Sequence, residues 1–134
     1  MRKKNMIKFD ISLRTGEVIE IATIEIHRQE SSLTFIRGNG FRKTYTDHDL
    51  YLCLAQVRQE FPEIQFLCKG AKINVFPSRM CSQMSGGIVA YELISGRTGT
   101  FDQIVNIFDF EDKNITHDIR AQKDFYRRWL NSFE

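Results

Sequence analysis

From Ile7 to Leu13 the chain alternates apolar and polar residues: Ile7, Phe9, Ile11 and Leu13 interleave with Lys8, Asp10 and Ser12. A period of two puts the apolar set on one face of a strand and the polar set on the other, so this stretch cannot bury itself as a helix. Thr15-Gly16 then supplies a turn. A β-rich run follows over residues 18–26, in which Ile24 and Ile26 point one way and Glu25 the other. Residues 33–36 read as a third strand, closed by Gly38-Asn39-Gly40, where a positive φ is cheap. The first forty residues therefore predict an antiparallel meander.

The period changes at Thr46. Thr46-Asp47-His48-Asp49 resembles a capping box, with the Thr hydroxyl and an acidic side chain on free amides. Leu50, Leu54, Val57 and Phe61 recur at three- and four-residue spacing, the stripe of an amphipathic helix. Pro62 ends it, since the residue before proline avoids helical geometry. Residues 64–68 and 73–76 are short β-rich segments around Lys69-Gly70-Ala71-Lys72. Residues 78–87 predict a loop or a short helical turn, 88–94 a strand and 95–99 a loop. Residues 104–110 are apolar enough for a buried strand, though their length also permits a helix. Thr116 can cap a C-terminal helix with Ile119, Tyr126, Trp129, Leu130 and Phe133 on one face and Arg120, Lys123, Arg127 and Arg128 elsewhere. Strands, helix, strands, helix is the order of an α+β fold: one domain over residues 1–134, a largely antiparallel sheet, a central helix and a C-terminal helix.

The chain has 134 residues, 42% of them hydrophobic, which suits one soluble domain with a filled core. No apolar run approaches the roughly 20 residues a membrane helix needs. The basic start, Met1-Arg2-Lys3-Lys4, leads into alternating residues rather than the apolar stretch of a secretory signal. Net charge is only +2 and evenly spread, whereas a nucleic-acid binder usually carries a basic excess. Three cysteines, Cys53, Cys68 and Cys81, form neither a CxxC pair nor a disulfide framework, which favours a reduced, cytoplasmic setting.

Chemistry-bearing motifs are scarce. His27, His48 and His117 are far apart, and none has the short ligand spacing of a zinc site, so neither metal nor cofactor is expected. No GxSxG elbow, P-loop or GxGxxG occurs, and no base sits at recognisable spacing from a nucleophile. Cys53 lies in the helix stripe and Cys68 ends an apolar segment, which leaves Cys81 as the candidate exposed thiol. Two features stand out. Residues 76–87 concentrate Ser, Met and Gly in one connection, with Ser78, Arg79 and Met80 at its start and Met84 four residues on. The i,i+4 spacing of Met80 and Met84 equally suits two side chains tucked into the core from one helical turn. Asp102, Asp109, Glu111 and Asp112 gather acidic side chains near the aromatics Phe108 and Phe110; such a set can serve acid/base chemistry, mimic phosphates toward a basic partner, or simply form a solvated loop before the C-terminal helix.

Phe66-Leu67-Cys68-Lys69-Gly70-Ala71-Lys72, Val75-Phe76-Pro77-Ser78-Arg79-Met80, Met84-Ser85-Gly86-Gly87 and Ala90-Tyr91-Glu92-Leu93 resemble the small bacterial immunity proteins of contact-dependent growth inhibition and other toxin–immunity loci. The resemblance covers about residues 64–110, with an echo in the Trp129 helix. It implies a cytoplasmic, non-enzymatic protein that binds and blocks the C-terminal domain of a toxin delivered by a neighbouring cell, commonly a nuclease. A nuclease cleft is basic, so the expected contact set is Asp102, Asp109, Glu111 and Asp112, with Ser78, Arg79 and Met80 beside it. No membrane or direct nucleic-acid partner is expected, and a homodimer stays open. The alternative is a small nucleic-acid-binding regulator using a sheet face and the basic C-terminal helix.

Overall fold

The computed structural model describes residues 6–98 and 103–132. The fold is α+β, and the described residues form two antiparallel sheets and three α-helices. Strands β1 (Met6–Thr15) and β2 (Val18–His27) form a ten-residue hairpin in the register Thr15 to Val18 and Met6 to His27. β3 (Ser32–Ile36) and β4 (Arg42–Thr46) extend it on one side, and β5 (Gln65–Leu67) pairs with β1 on the other. The strand order is β4-β3-β2-β1-β5. Gly38-Asn39-Gly40 makes the β3–β4 hairpin turn, with the Arg37 amide donating to the Phe41 carbonyl at 2.9 Å.

One face of this sheet is apolar, as the two-residue period requires. Ile11, Leu13, Ala22, Ile24, Ile26, Leu33, Phe35 and Tyr45 are buried. They meet helix α1 (Leu50–Glu60), which lies between this sheet and the turn at Lys69–Ala71. Phe35 anchors an aromatic cluster with Phe41, Phe61 and Phe66, at centroid distances of 6.0, 5.7 and 5.5 Å. Because α1 is covered from two sides, Tyr51, Cys53, Ala55 and Arg58 are buried along with Leu50, Leu54 and Val57. The helix stripe in the sequence marks only one of its two packed faces.

The second sheet has the order β6-β7-β8, from β6 (Val75–Phe76), β7 (Val89–Glu92) and β8 (Ile104–Asn106). Helix α2 (Arg79–Ser85) connects β6 to β7, and α3 (Ile119–Asn131) packs against β6. No helix among the described residues is long and apolar enough to cross a membrane.

Several local expectations change. Thr46 ends β4 rather than capping α1; Asp49 is the cap, its carboxylate accepting the Leu52 amide at 2.9 Å. β4 has no apolar alternation because it is an edge strand whose side chains are held by charge and hydroxyl pairs, Arg42 to Glu25, Lys43 to Glu60 and Thr44 to Thr34. Only residues 104–106 of the apolar 104–110 stretch form a strand. Its buried Ile107 and Phe108 sit in the turn that follows, where Phe108 stacks on Phe9 at 4.9 Å. Asp118, not Thr116, caps α3, and Thr116 sits two residues earlier, its hydroxyl accepting the Asp118 amide. Leu130 on α3 is exposed, Phe133 lies outside the described residues, and the one buried α3 side chain is the polar Gln122.

Candidate functional site

The sequence places Ser78, Arg79 and Met80 at the start of a connection, and the structure makes that connection the helix α2. Ser78 caps it, accepting the Cys81 amide at 3.0 Å. Ser82 donates to the Asp49 carboxylate at 2.6 Å, and the Leu50 amide donates to the Gly86 carbonyl at 2.7 Å. One buried carboxylate, Asp49, thus caps α1 and holds α2 to it. Gly87 permits this approach: it has φ +86°, and a Cβ there would lie 2.9 Å from Asp49 Cγ and 3.0 Å from the Tyr51 amide. Cys81 faces inward and is buried, so the exposed thiol expected there is absent: the helical turn rotates it onto the core side. The same rotation carries Met80 and Met84 outward, 49% and 75% exposed, so the pair does not tuck into the core. Arg79 is also exposed.

The acidic segment separates into unlike parts. Asp109 and Asp112 are exposed. Glu111 is not a free acidic group: its side chain is 11% exposed, and Oε1 accepts from Lys69 Nζ at 2.9 Å and Lys72 Nζ at 3.0 Å. Oε2 accepts the amides of Asp112 and Lys113, each at 3.0 Å. Glu92 completes the cluster by pairing with both lysines. The Lys69 hydrogen bond, aided by that from Lys72 and by the Lys113 amide, outweighs partial burial and brings the Glu111 carboxyl down to about 2. Phe110 is 62% exposed, while Phe108 is core. Asp102 lies outside the described residues. No hydrogen bond or ion pair joins the Ser78–Met80 group to the Asp109–Asp112 group among the described residues.

The basic face of α3 is partly spent within the helix. Arg120 pairs with Asp118 at 3.2 Å and Arg127 with Asp124 at 3.0 Å, and the Arg128 guanidinium lies 5.8 Å from the Phe125 ring centroid. Of the four basic side chains named on this helix, Lys123 alone has no such partner among the described residues. Nor do three His, Cys, Asp or Glu side chains converge to hold a metal ion there. Burial pushes the Cys68 thiol up to about 11 and the Cys53 thiol up to about 12, which keeps both protonated and poorly nucleophilic.

One feature escaped the sequence reading altogether. Phe76, Ser78, Tyr91, Leu93, Tyr126 and Trp129, from β6, β7, the ends of these strands and α3, line an open cleft of about 180 Å³. Tyr126 stacks on Phe76 at 4.5 Å and on Trp129 at 5.8 Å. The only signal was aromatic content in segments far apart in the chain, and only the docking of α3 on β6 brings those segments together. A scan against family models gives no match to the chain, and a search of curated proteins gives none either.

Proposed function

We propose that this chain is a binding protein that neutralises a partner: an immunity protein that covers a toxin domain, with a nuclease as the partner class. The observation that carries a binding role is the outer face of α2. Two methionines stand in solvent on a helix that is capped by Ser78 and fastened to the body through Ser82 and Asp49. Thioethers adapt to an irregular partner surface, while a fixed helix limits the ordering cost of binding. The partner class rests on the resemblance of residues 64–110 to toxin-immunity proteins. On this reading Met80, Met84 and Arg79 form one contact group, and the exposed Asp109 and Asp112 meet basic groups of the toxin. Glu111 holds the segment's shape rather than touching the partner.

This reading predicts a toxin gene beside the gene for this chain, and the test is co-expression with the toxin domain found there. A stable complex on gel filtration and survival of cells expressing that domain support the reading. Absence of both overturns it.

A further inference from the structure

The cleft between α3 and β7 has chemistry that the α2 face lacks. Its lining is mainly aromatic and aliphatic: Phe76, Tyr91, Leu93, Tyr126 and Trp129, with Ser78 at one side. Trp129 cannot offer its indole N–H to a ligand, because Nε1 donates to the Ile94 and Arg97 carbonyls at 3.0 and 2.8 Å. Tyr126 is stacked on Phe76 at 4.5 Å and on Trp129 at 5.8 Å, so its ring is engaged by these two neighbours. A nucleobase needs an open ring face to stack on, and a ring already engaged twice suits it poorly. An inserted apolar side chain needs only depth and apolar walls.

Two exposed arginines adjoin the lining segments. Arg79 follows the lining residue Ser78, and Arg97 supplies the carbonyl that holds Trp129; both are exposed, and neither forms an ion pair among the described residues. Glu92, between Tyr91 and Leu93, is committed to Lys69 and Lys72. Asp124 on α3 is committed to Arg127. The carboxylates beside the lining residues, Glu92 and Asp124, are therefore paired, whereas Arg79 and Arg97, on separate segments, form no ion pair among the described residues.

We infer that this cleft is a docking site for an acidic segment of a partner protein, with one apolar or aromatic anchor seated among Phe76, Tyr91, Leu93, Tyr126 and Trp129 and flanking carboxylates held by Arg79 and Arg97. The inference rests on the reading of the chain as a protein-binding module and adds the chemistry that the partner must present. Arginine suits the task, since its fork binds a carboxylate through two parallel hydrogen bonds.

Trp129 is the chain's single tryptophan, so its fluorescence reports on the cleft directly. The probe is a blocked peptide, Glu-Asp-Phe-Asp-Glu, with Lys-Lys-Phe-Lys-Lys and a ten-nucleotide oligouridylate as comparisons. The expected result is a saturable change in Trp129 emission with the acidic peptide alone, weaker at high salt. Charge reversal at two exposed positions, Arg79→Glu with Arg97→Glu, should weaken binding at least tenfold in a protein with an unchanged circular dichroism spectrum. No saturable change, an equal response to the basic peptide, or unaltered affinity in the double variant overturns the inference. Tighter binding of the oligouridylate overturns it too and makes the cleft a nucleic-acid site. Loss of toxin neutralisation with peptide binding retained would instead strike the proposed function and leave the cleft assignment standing.

Discussion

Arg58 donates a 2.7 Å hydrogen bond to Gln122, and both side chains are completely buried. The pair joins α1 to α3 across the middle of the molecule. Arg58 also donates to the Thr116 carbonyl at 2.6 Å, and Gln122 donates to the Gly70 and Lys72 carbonyls at 2.9 Å each. No carboxylate forms an ion pair with the guanidinium among the described residues, its Nε has no hydrogen-bond partner, and burial pulls its pKa down. The group is held in place by carbonyl dipoles rather than by a counter-charge.

Arg58→Ala should therefore be severe. It removes two hydrogen bonds from a charged donor and leaves a cavity, a loss of about 3–5 kcal/mol. Arg58→Met keeps most of the volume and ends the desolvation penalty, so it should cost less than the alanine variant. Urea unfolding checks both; an alanine variant within about 1 kcal/mol of wild type would show that the pair contributes little.

The lysine–glutamate cluster should contribute to the acid limb of the stability curve. Glu111 has its carboxyl lowered from 4.5 to about 2 in the folded chain, first by the Lys69 hydrogen bond. A depressed carboxyl contributes stability that is fully present above its unfolded value and disappears as pH falls toward the folded one. Stability should thus fall between about pH 4.5 and about pH 2, and Glu111→Gln should flatten that limb while lowering stability at neutral pH. Thermal melts at a series of pH values measure this. A variant whose acid limb matches wild type would mean that other carboxylates set it.

Gly70 sits where α1 meets the turn after β8. A Cβ there would lie 2.7 Å from Leu54 Cδ2 and 2.9 Å from Ile107 Cβ, both fully buried. Gly70→Ala should destabilise by about 1–3 kcal/mol through overpacking. The effect should be coupled to Leu54: adding Leu54→Ala opens the space, so the double variant should lose less than the sum of the singles. Additive losses in a double-mutant cycle would place the strain elsewhere.

These residues also mark where the sequence was legible. The meander, its Gly38-Asn39-Gly40 turn and the α1 stripe were readable because periodicity and turn chemistry are local. Arg58 was not: a basic residue late in a helix ordinarily reads as solvated, and its hydrogen-bond partners, the Thr116 carbonyl and Gln122, come from a segment about 60 residues further along the chain. Glu111 looked like an interface acid because sequence reveals its charge but not the two lysines, 42 and 39 positions away, that claim it. The Ser78–Met80 segment was found as a site candidate, yet the direction of Met80 and Met84 depended on Ser82 reaching Asp49. The aromatic cleft needed three separated segments and had no local signature.

The lysine partners of Glu111 also decide how the acidic segment must be tested. Reversing Glu111 would put a third positive charge beside Lys69 and Lys72 and disrupt the turn that its Oε2 holds. A binding defect in that variant would not identify a contact. Asp109 and Asp112 are exposed, so Asp109→Lys with Asp112→Lys changes the surface charge by four units while sparing the cluster. If a basic toxin cleft is the partner, this double variant should fold normally and associate about ten- to a hundredfold more slowly at low salt, since opposed charges chiefly raise the rate of encounter. The defect should shrink as ionic strength rises and screening shortens the reach of the charges. Stopped-flow association with the purified toxin domain at several salt concentrations reads both effects. Unchanged association rates at every salt concentration would remove Asp109 and Asp112 from the contact surface, leaving the methionine face of α2 and the aromatic cleft to hold the partner.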